Sequence, residues 1–191
     1  AWYFFRYLST DRSDVAFDPE VVRKWLPVTM YIGGAEHSVL HLLYARFVTM
    51  VLKDLGYIAF EEPFARFYAH GLIIKDGAKM SKSIGNIITP EEVSDKYGID
   101  TVRLFLMSIA SPDKHIESSQ DAIEGSYRFV NKLINYFSNV KMGKSNEKSQ
   151  SKINKTIKEI AHEIENLEYN LAIIKLRALF EHIQDKEIGR K

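Results

Sequence analysis

The chain has no cysteine, which excludes disulfides and thiolate metal sites and fits a cytoplasmic protein. It has no apolar run of the roughly 18–20 residues that a membrane span requires, and no signal-peptide pattern is visible in it. It has almost no net charge, because 26 Lys+Arg face 25 Asp+Glu and leave +1. A globally basic nucleic-acid coat is therefore excluded, and any contact with RNA must be local. There is no internal repeat and no initiator methionine. The chain opens on Ala1-Trp2-Tyr3-Phe4-Phe5, and so dense an aromatic start predicts a fragment cut through a folded region. What is present is a 46% hydrophobic composition over 191 residues, enough for one large core or two small ones.

The most informative stretch is Asp76-Gly77-Ala78-Lys79-Met80-Ser81-Lys82-Ser83-Ile84-Gly85-Asn86. Ahead of it, His70 to Ile74 reads as a short buried strand, and Asp76-Gly77 reads as a tight turn. Behind it, Thr89-Pro90-Glu91-Glu92 opens a helix with an N-cap, a proline at the first position and a capping box. The loop between carries two lysines and two serines, and Gly85 lets it bend. Ammonium groups neutralise charge, while hydroxyls and backbone N–H groups donate to phosphate oxygens, so this chemistry suits a triphosphate. The alternative is an ordinary solvated charge cluster.

Upstream, residues 1–8 read as a buried strand, and Asp18-Pro19-Glu20 as the start of a short helix through Trp25. Val28 to Ile32 reads as a buried strand ending at Gly33-Gly34, with Ala35-Glu36-His37 leading into one long helix to about Lys53. Strand, glycine pair and helix start are the plan of an open α/β sheet, whose ligands sit at the carboxyl ends of strands. His37 and His41 are four apart and share a helix face. Zinc binding, a core pair and a pocket-facing pair are the alternatives. The metalloprotease pattern needs Glu directly after the first His; here Glu36 precedes it, and no third ligand is evident. Val39, Leu40, Leu43, Phe47, Met50 and Val51 recur at helical spacing as a core face.

Downstream, one helix stops at Tyr97-Gly98. Asp100 caps the next, from Thr101 to about Ala110. Ser118 or Ser119 caps a third, from Gln120 to Asn139. Lys141 to Lys152 has almost no apolar residues and reads as a flexible linker. Two amphipathic helices follow, over 154–167 and 170–185. The first is expected to bury Ile157, Ile160, Ala161, Ile164 and Leu167; the second, Leu171, Ile174, Leu179 and Ile183.

Lys79-Met80-Ser81-Lys82-Ser83 resembles the second signature of the class I aminoacyl-tRNA synthetases. Tyr31-Ile32-Gly33-Gly34-Ala35-Glu36-His37, followed by His41-Leu42-Leu43-Tyr44-Ala45-Arg46-Phe47, is similar to the leucyl-tRNA synthetases rather than to their valyl and isoleucyl relatives. Trp2-Tyr3-Phe4-Phe5-Arg6-Tyr7, Tyr97 to Phe105, the Glu124-Gly125 and Arg128-Phe129 pairs, and Glu168 to Ile173 also resemble that family. Ala1 and Ser118 depart from it, standing where Ser and Trp are usual. The resemblance is interrupted mainly at 9–20 and 141–152. The family's first signature, His-Ile-Gly-His, and its editing domain are not in the chain.

The resemblance implies an α/β fold: the C-terminal half of a Rossmann-type parallel sheet, then a helical connector and part of an α-helical bundle. The implied division is 1–75 for the sheet, 76–112 for the lysine–serine loop and connector, and 113–191 for a partial anticodon-binding bundle with a linker near 141–152. It implies a cytoplasmic, monomeric leucine–tRNA ligase with ATP, leucine and tRNA(Leu) as partners and Mg²⁺ as the companion of ATP. Lys79 and Lys82 are the implied catalytic residues. Gly33, Gly34, Glu36, Gly71, Leu72, Met80, Ser81 and Ser83 join them around ATP, His37 and His41 line the leucine pocket, and no protein metal ligand is assigned. The isolated chain is expected to be poorly active. The competing reading is a truncated synthetase-like module that binds tRNA or a partner without catalysis.

Overall fold

The computed structural model describes residues 1–75, 77–118, 120–140 and 146–184. The turn residue Asp76, the cap candidate Ser119 and linker residues 141–145 lie outside the described residues. No described helix is long and apolar enough to cross a membrane. The chain divides into two units, the first Ala1–His70 and the second beginning at Gly71.

In the first unit the aromatic opening is helical, not the predicted strand. A strand would send Phe4 and Phe5 to opposite faces. Helix α1 (Tyr3–Arg6) and a 3₁₀ turn over Tyr7–Ser9 instead bring Phe4, Phe5 and Leu8 together against Phe17, Val22, Phe60 and Phe64. The Arg6 guanidinium ties the turn by donating to the carbonyls of Ser9 and Arg12. Helix α2 (Pro19–Trp25) forms as predicted, with the Asp18 carboxylate accepting from the Glu20 and Val21 amides, where a negative charge meets the positive end of the helix.

Strand β1 (Tyr31–Gly34) runs parallel to β2 (Phe67–His70), in register from Tyr31 opposite Phe67 to Gly34 opposite His70. The strand predicted at 28–32 is thus shifted: Val28 makes only an isolated bridge to Phe64, and both glycines lie inside the ladder. The single long helix predicted after it is broken. A 3₁₀ helix covers Ala35–Val39, Leu40 leaves the helical region at φ −114° and ψ −106°, and α3 runs His41–Asp54. Helix α3 buries Leu42, Ala45 and Thr49, whereas Val39, Leu40, Leu43, Phe47, Met50 and Val51 are exposed. The predicted core face is therefore the outer one, because the unit's aromatic core covers only the Ala45 side. Arg46 grips Glu62 through two of its nitrogens and Lys53 pairs with Glu61 at 2.6 Å, linking α3 to the segment that enters β2.

The second unit starts with a three-stranded sheet in the order β4-β3-β5. Strand β3 (Ile73–Lys75) pairs antiparallel with β4 (Ala78–Lys79) and parallel with β5 (Ile116–Glu117). The strand predicted over 70–74 is therefore two pieces, interrupted at Gly71-Leu72. Helix α4 (Pro90–Tyr97) carries the predicted cap, with the Thr89 hydroxyl accepting from the Glu92 amide. Gly98 at φ 83° ends α4 and also caps α5 (Ile99–Ser108), so Asp100 sits in the first turn of α5 rather than at its cap.

Helix α6 spans Gln120–Asn139 as expected. Helix α7 (Glu147–Glu165) starts earlier than 154, because the Asn146 side chain accepts from the Ser149 amide at 2.8 Å and caps it. Its buried positions are Ser149, Thr156 and Glu163, spaced by seven, a coiled-coil-like seam. Ile157, Ala161 and Ile164 are exposed beside it. The seam is turned from the predicted apolar stripe because Glu163 pairs with Lys175 of α8 (Tyr169–Ile183). On α8, Ala172 and Phe180 are buried and Leu171 and Ile174 are exposed. Phe180 meets Phe129 and Tyr136 of α6 edge to face, the favoured aromatic arrangement.

Candidate functional site

The lysine–serine loop hangs from β4. Its turn is closed by two amides, Ile84 and Gly85, donating to the Ser81 carbonyl at 3.2 and 3.1 Å. Gly85 ends the turn at φ 73°, a conformation that favours glycine. Asn86 locks the loop from beneath. Its Oδ1 accepts from the Ser81 amide at 2.8 Å, and its Nδ2 donates weakly to the Lys75 and Lys79 carbonyls, both at 3.4 Å. The Ser81 and Ser83 hydroxyls are 2.7 Å apart. Met80 turns inward, lining an apolar cavity of about 120 Å³ with Ile88, Val93, Val102, Phe105 and Ile123. It anchors the loop by burial, so any contact it makes with a nucleotide would be through its backbone. Lys79 and Lys82 are exposed, and no carboxylate pairs with either among the described residues. Two unpaired ammonium groups on a backbone-locked loop form a cationic arm suited to phosphate oxygens.

Gly71 and Leu72 precede β3, and their amides are engaged. The Gly71 amide donates to the Pro112 carbonyl at 2.8 Å. The Leu72 amide donates to Nδ1 of His115 at 3.0 Å, and the Leu72 carbonyl accepts from the Ile116 amide at 2.8 Å. A Cβ on Gly71 would stand 1.9 Å from the Lys114 carbonyl oxygen. Glycine is needed here for close backbone approach.

The remaining predicted site residues cluster in the first unit, at the end of β1 and just after it. The Glu36 carboxylate folds back over Gly34, where a Cβ would lie 2.4 Å from its Oε2. A Cβ on Gly33 would meet the Tyr31 ring at 2.8 Å. His37 and His41 are not on one continuous helix, yet their rings meet edge to face at 6.1 Å. His41 also packs on Tyr3 at 5.8 Å and Tyr31 at 5.6 Å. Burial, with lesser repulsion from His37, lowers the His41 pKa and favours the neutral ring. Burial likewise raises the Tyr3 hydroxyl, helped by Tyr31 and Tyr7. Nδ1 of His37 is buried without a hydrogen-bond partner among the described residues, an orphan that a bound polar group would satisfy. Among the described residues no three His, Cys, Asp or Glu gather to hold a metal ion.

Three residues near these sets carried no predicted role. Tyr3 reads only as part of the aromatic opening and Asn86 only as the end of the lysine–serine stretch, while His115 stands out in no pattern. The Gly85-Asn86 ending was a usable signal for the loop lock. Nothing local marks His115, whose partner is 43 residues away.

A family model described as tRNA synthetases class I (I, L, M and V) matches residues 8–119. The Thermotoga maritima leucine–tRNA ligase is 46% identical over 197 aligned residues, covering 96% of this chain and 24% of that protein. A Campylobacter jejuni leucine–tRNA ligase is 48% identical over 157 residues, 81% of this chain and 19% of its own length. Among solved structures, the ternary LeuRS–tRNA–LeuAMS complex of Agrobacterium radiobacter aligns with a TM-score of 0.85 at 29% identity, over 96% of this chain and 26% of that one. The Mycobacterium tuberculosis methionyl-tRNA synthetase bound to methionyl-adenylate aligns at 0.65 with 20% identity, over 91% and 36%, a likeness of fold. The chain spans about a quarter of the length of the curated relatives it matches.

Proposed function

From the premise that the chain belongs to the class I tRNA synthetases, we propose that the full-length protein carrying it is a leucine–tRNA ligase. The reaction activates leucine on ATP, releases pyrophosphate and transfers leucine to the 3′ end of tRNA(Leu). The observation that carries this reading is the loop: Lys79 and Lys82 exposed, unpaired among the described residues, on a turn locked by Asn86.

Attack of a carboxylate on the α-phosphate needs positioning and neutralisation of charge more than covalent help. Lys82, between Ser81 and Ser83, is assigned to the charge developing on the β- and γ-phosphates, and Lys79 assists it. Ser81 and Ser83 offer hydroxyls to phosphate oxygens, and Met80 holds the loop down. A closed turn on a two-residue strand can move as a lid. Mg²⁺ travels with ATP and neutralises phosphate oxygens, mainly through phosphate and water. Gly33 and Gly34 admit the nucleoside, and Glu36 accepts from ribose hydroxyls, as carboxylates do in dinucleotide sites. Gly71 and Leu72 are assigned to adenine. His37, with its orphan nitrogen, and neutral His41 are assigned to the leucine side.

The proposed division of labour runs 1–75 for the sheet, 76–112 for loop and connector, and 113–191 for the tRNA-facing bundle. Relatives of this name and a neighbour solved with tRNA and LeuAMS support the reading. We take the protein to act as a cytoplasmic monomer.

Leucine-dependent ATP–pyrophosphate exchange by the full-length protein tests it, with isoleucine, valine and methionine as controls. Leucine should drive exchange above all three. Lys82→Ala should lower the exchange rate on the order of 10²-fold and leave the Michaelis constant for leucine nearly unchanged. No exchange with leucine would overturn the ligase and favour a non-catalytic tRNA- or partner-binding module. A rise confined to the leucine Michaelis constant would remove the phosphate role of Lys82.

A further inference from the structure

The segment Pro112 to Ser118 lies along Gly71–Lys75, in part as the parallel β3–β5 pairing. Backbone bonds join the two, among them Gly71 amide to Pro112 carbonyl, Ile116 amide to Leu72 carbonyl, and Ser118 amide to Ile74 carbonyl, at 2.8, 2.8 and 2.9 Å. One further bond differs in kind. The Leu72 amide donates to an imidazole, Nδ1 of His115, at 3.0 Å. Here the chain arches so that the Lys114 carbonyl presses on Gly71, and a side chain meets the Leu72 amide.

An acceptor at Nδ1 is a lone pair on an aromatic ring nitrogen, and it places the proton of the neutral ring on Nε2. Adenine offers the same kind of acceptor in its own ring nitrogens. A backbone amide has a single hydrogen to donate, so an adenine nitrogen and His115 would compete for it. The ring can leave. Asp113, Lys114 and His115 are all exposed, and the carboxylate of Asp113 is engaged with Ser111 and Lys114. The bond to Leu72 is the hydrogen bond recorded for the His115 ring among the described residues.

We infer that His115 is an affinity-determining residue of the adenine site: its imidazole stands in for the adenine ring on the Leu72 amide and is displaced when ATP binds. The inference rests on the assignment of Leu72 to adenine. Filling the amide when no nucleotide is bound keeps the Gly71–Leu72 break in its shape, but the competition for that one amide weakens ATP binding by the strength of one hydrogen bond.

The test measures ATP dissociation constants by equilibrium dialysis on the full-length protein, wild type, His115→Ala and His115→Asn. Asparagine keeps a side-chain acceptor of similar reach. The alanine variant should bind ATP about three- to tenfold more tightly, the range of one net hydrogen bond. The asparagine variant should match wild type, and leucine affinity should not change in either. Hydrogen exchange of the peptide over residues 67–75, with and without ATP, separates the two layers of the argument. If ATP leaves that peptide unaffected in both wild type and His115→Ala, the assignment of Leu72 to adenine fails. If ATP protects it while the alanine variant binds equally or more weakly, the assignment stands and the stand-in role of His115 is overturned.

Discussion

His41 shows what burial does to a single group. Packed among Tyr3, Tyr31 and His37, its ring loses water, and its pKa falls below the ordinary 6.5. The sign of the linkage follows. Above about 6.5 the ring is neutral in both folded and unfolded chains, and its packing is fully stabilising. As pH falls below that value the unfolded chain takes up the proton first, and the stability is lost progressively toward the lower folded pKa. Urea unfolding of wild type and His41→Gln between pH 7.5 and 5.5 should therefore show a steeper acid loss in the wild type. Equal slopes would mean that burial does not tune this histidine. The residue types of the site were legible from the motif, but their local environments were not. Neither the orphan nitrogen of His37 nor the shared packing of His41 with Tyr3 follows from a spacing of four.

Elements obeyed the sequence where their determinants are local. The Asp18 and Thr89 caps formed as read, with proline at the first helical position in both, because a cap needs only the next three residues. Elements departed where the deciding partner is distant. The strand expected over 70–74 breaks at Gly71 because the Lys114 carbonyl occupies the space a side chain would fill. Gly71→Ala should accordingly cost about 1–3 kcal/mol, the usual penalty of overpacking, as read from the urea midpoint. The same substitution at Gly77, where a Cβ would meet nothing within 4 Å, leaves that close approach intact and serves as the control for sterics. Its own φ of 72° adds backbone strain of about 1 kcal/mol. A loss at Gly71 no larger than that at Gly77 would show that the approach of Lys114 does not decide Gly71. The helix expected to start at 37 breaks at Leu40 for no reason visible in its neighbours.

At the scale of the molecule, α3 is the informative surface. Leu43, Phe47 and Met50 are 51, 61 and 41% exposed and lie on one face at three- and four-residue spacing. A contiguous apolar face of this kind is normally covered in a functioning protein. The 191-residue chain on its own should therefore bind the dye ANS, and a Leu43→Glu, Phe47→Lys double variant should bind much less. Undiminished ANS fluorescence in the variant would place the accessible apolar surface elsewhere, for example on Ile157, Ile164 and Ile174 of the bundle.

By itself the sequence determined the α/β class, the Asp18 and Thr89 caps, the span of α6, the residue types of the loop and the family. Each of these is encoded within a few neighbouring residues or in a contiguous motif, and local propensity and pattern are enough to read them. Only the tertiary structure decided which apolar stripe of α3 faces inward, how the α7 seam is turned, and that the Leu72 amide is held by His115. An amphipathic pattern names faces without saying what covers them. The burial of Ala45 rather than Leu43, and of Glu163 rather than Ile164, was set by partners far away in the chain: the aromatic cluster of Phe4, Phe5 and Phe64, and the ammonium of Lys175.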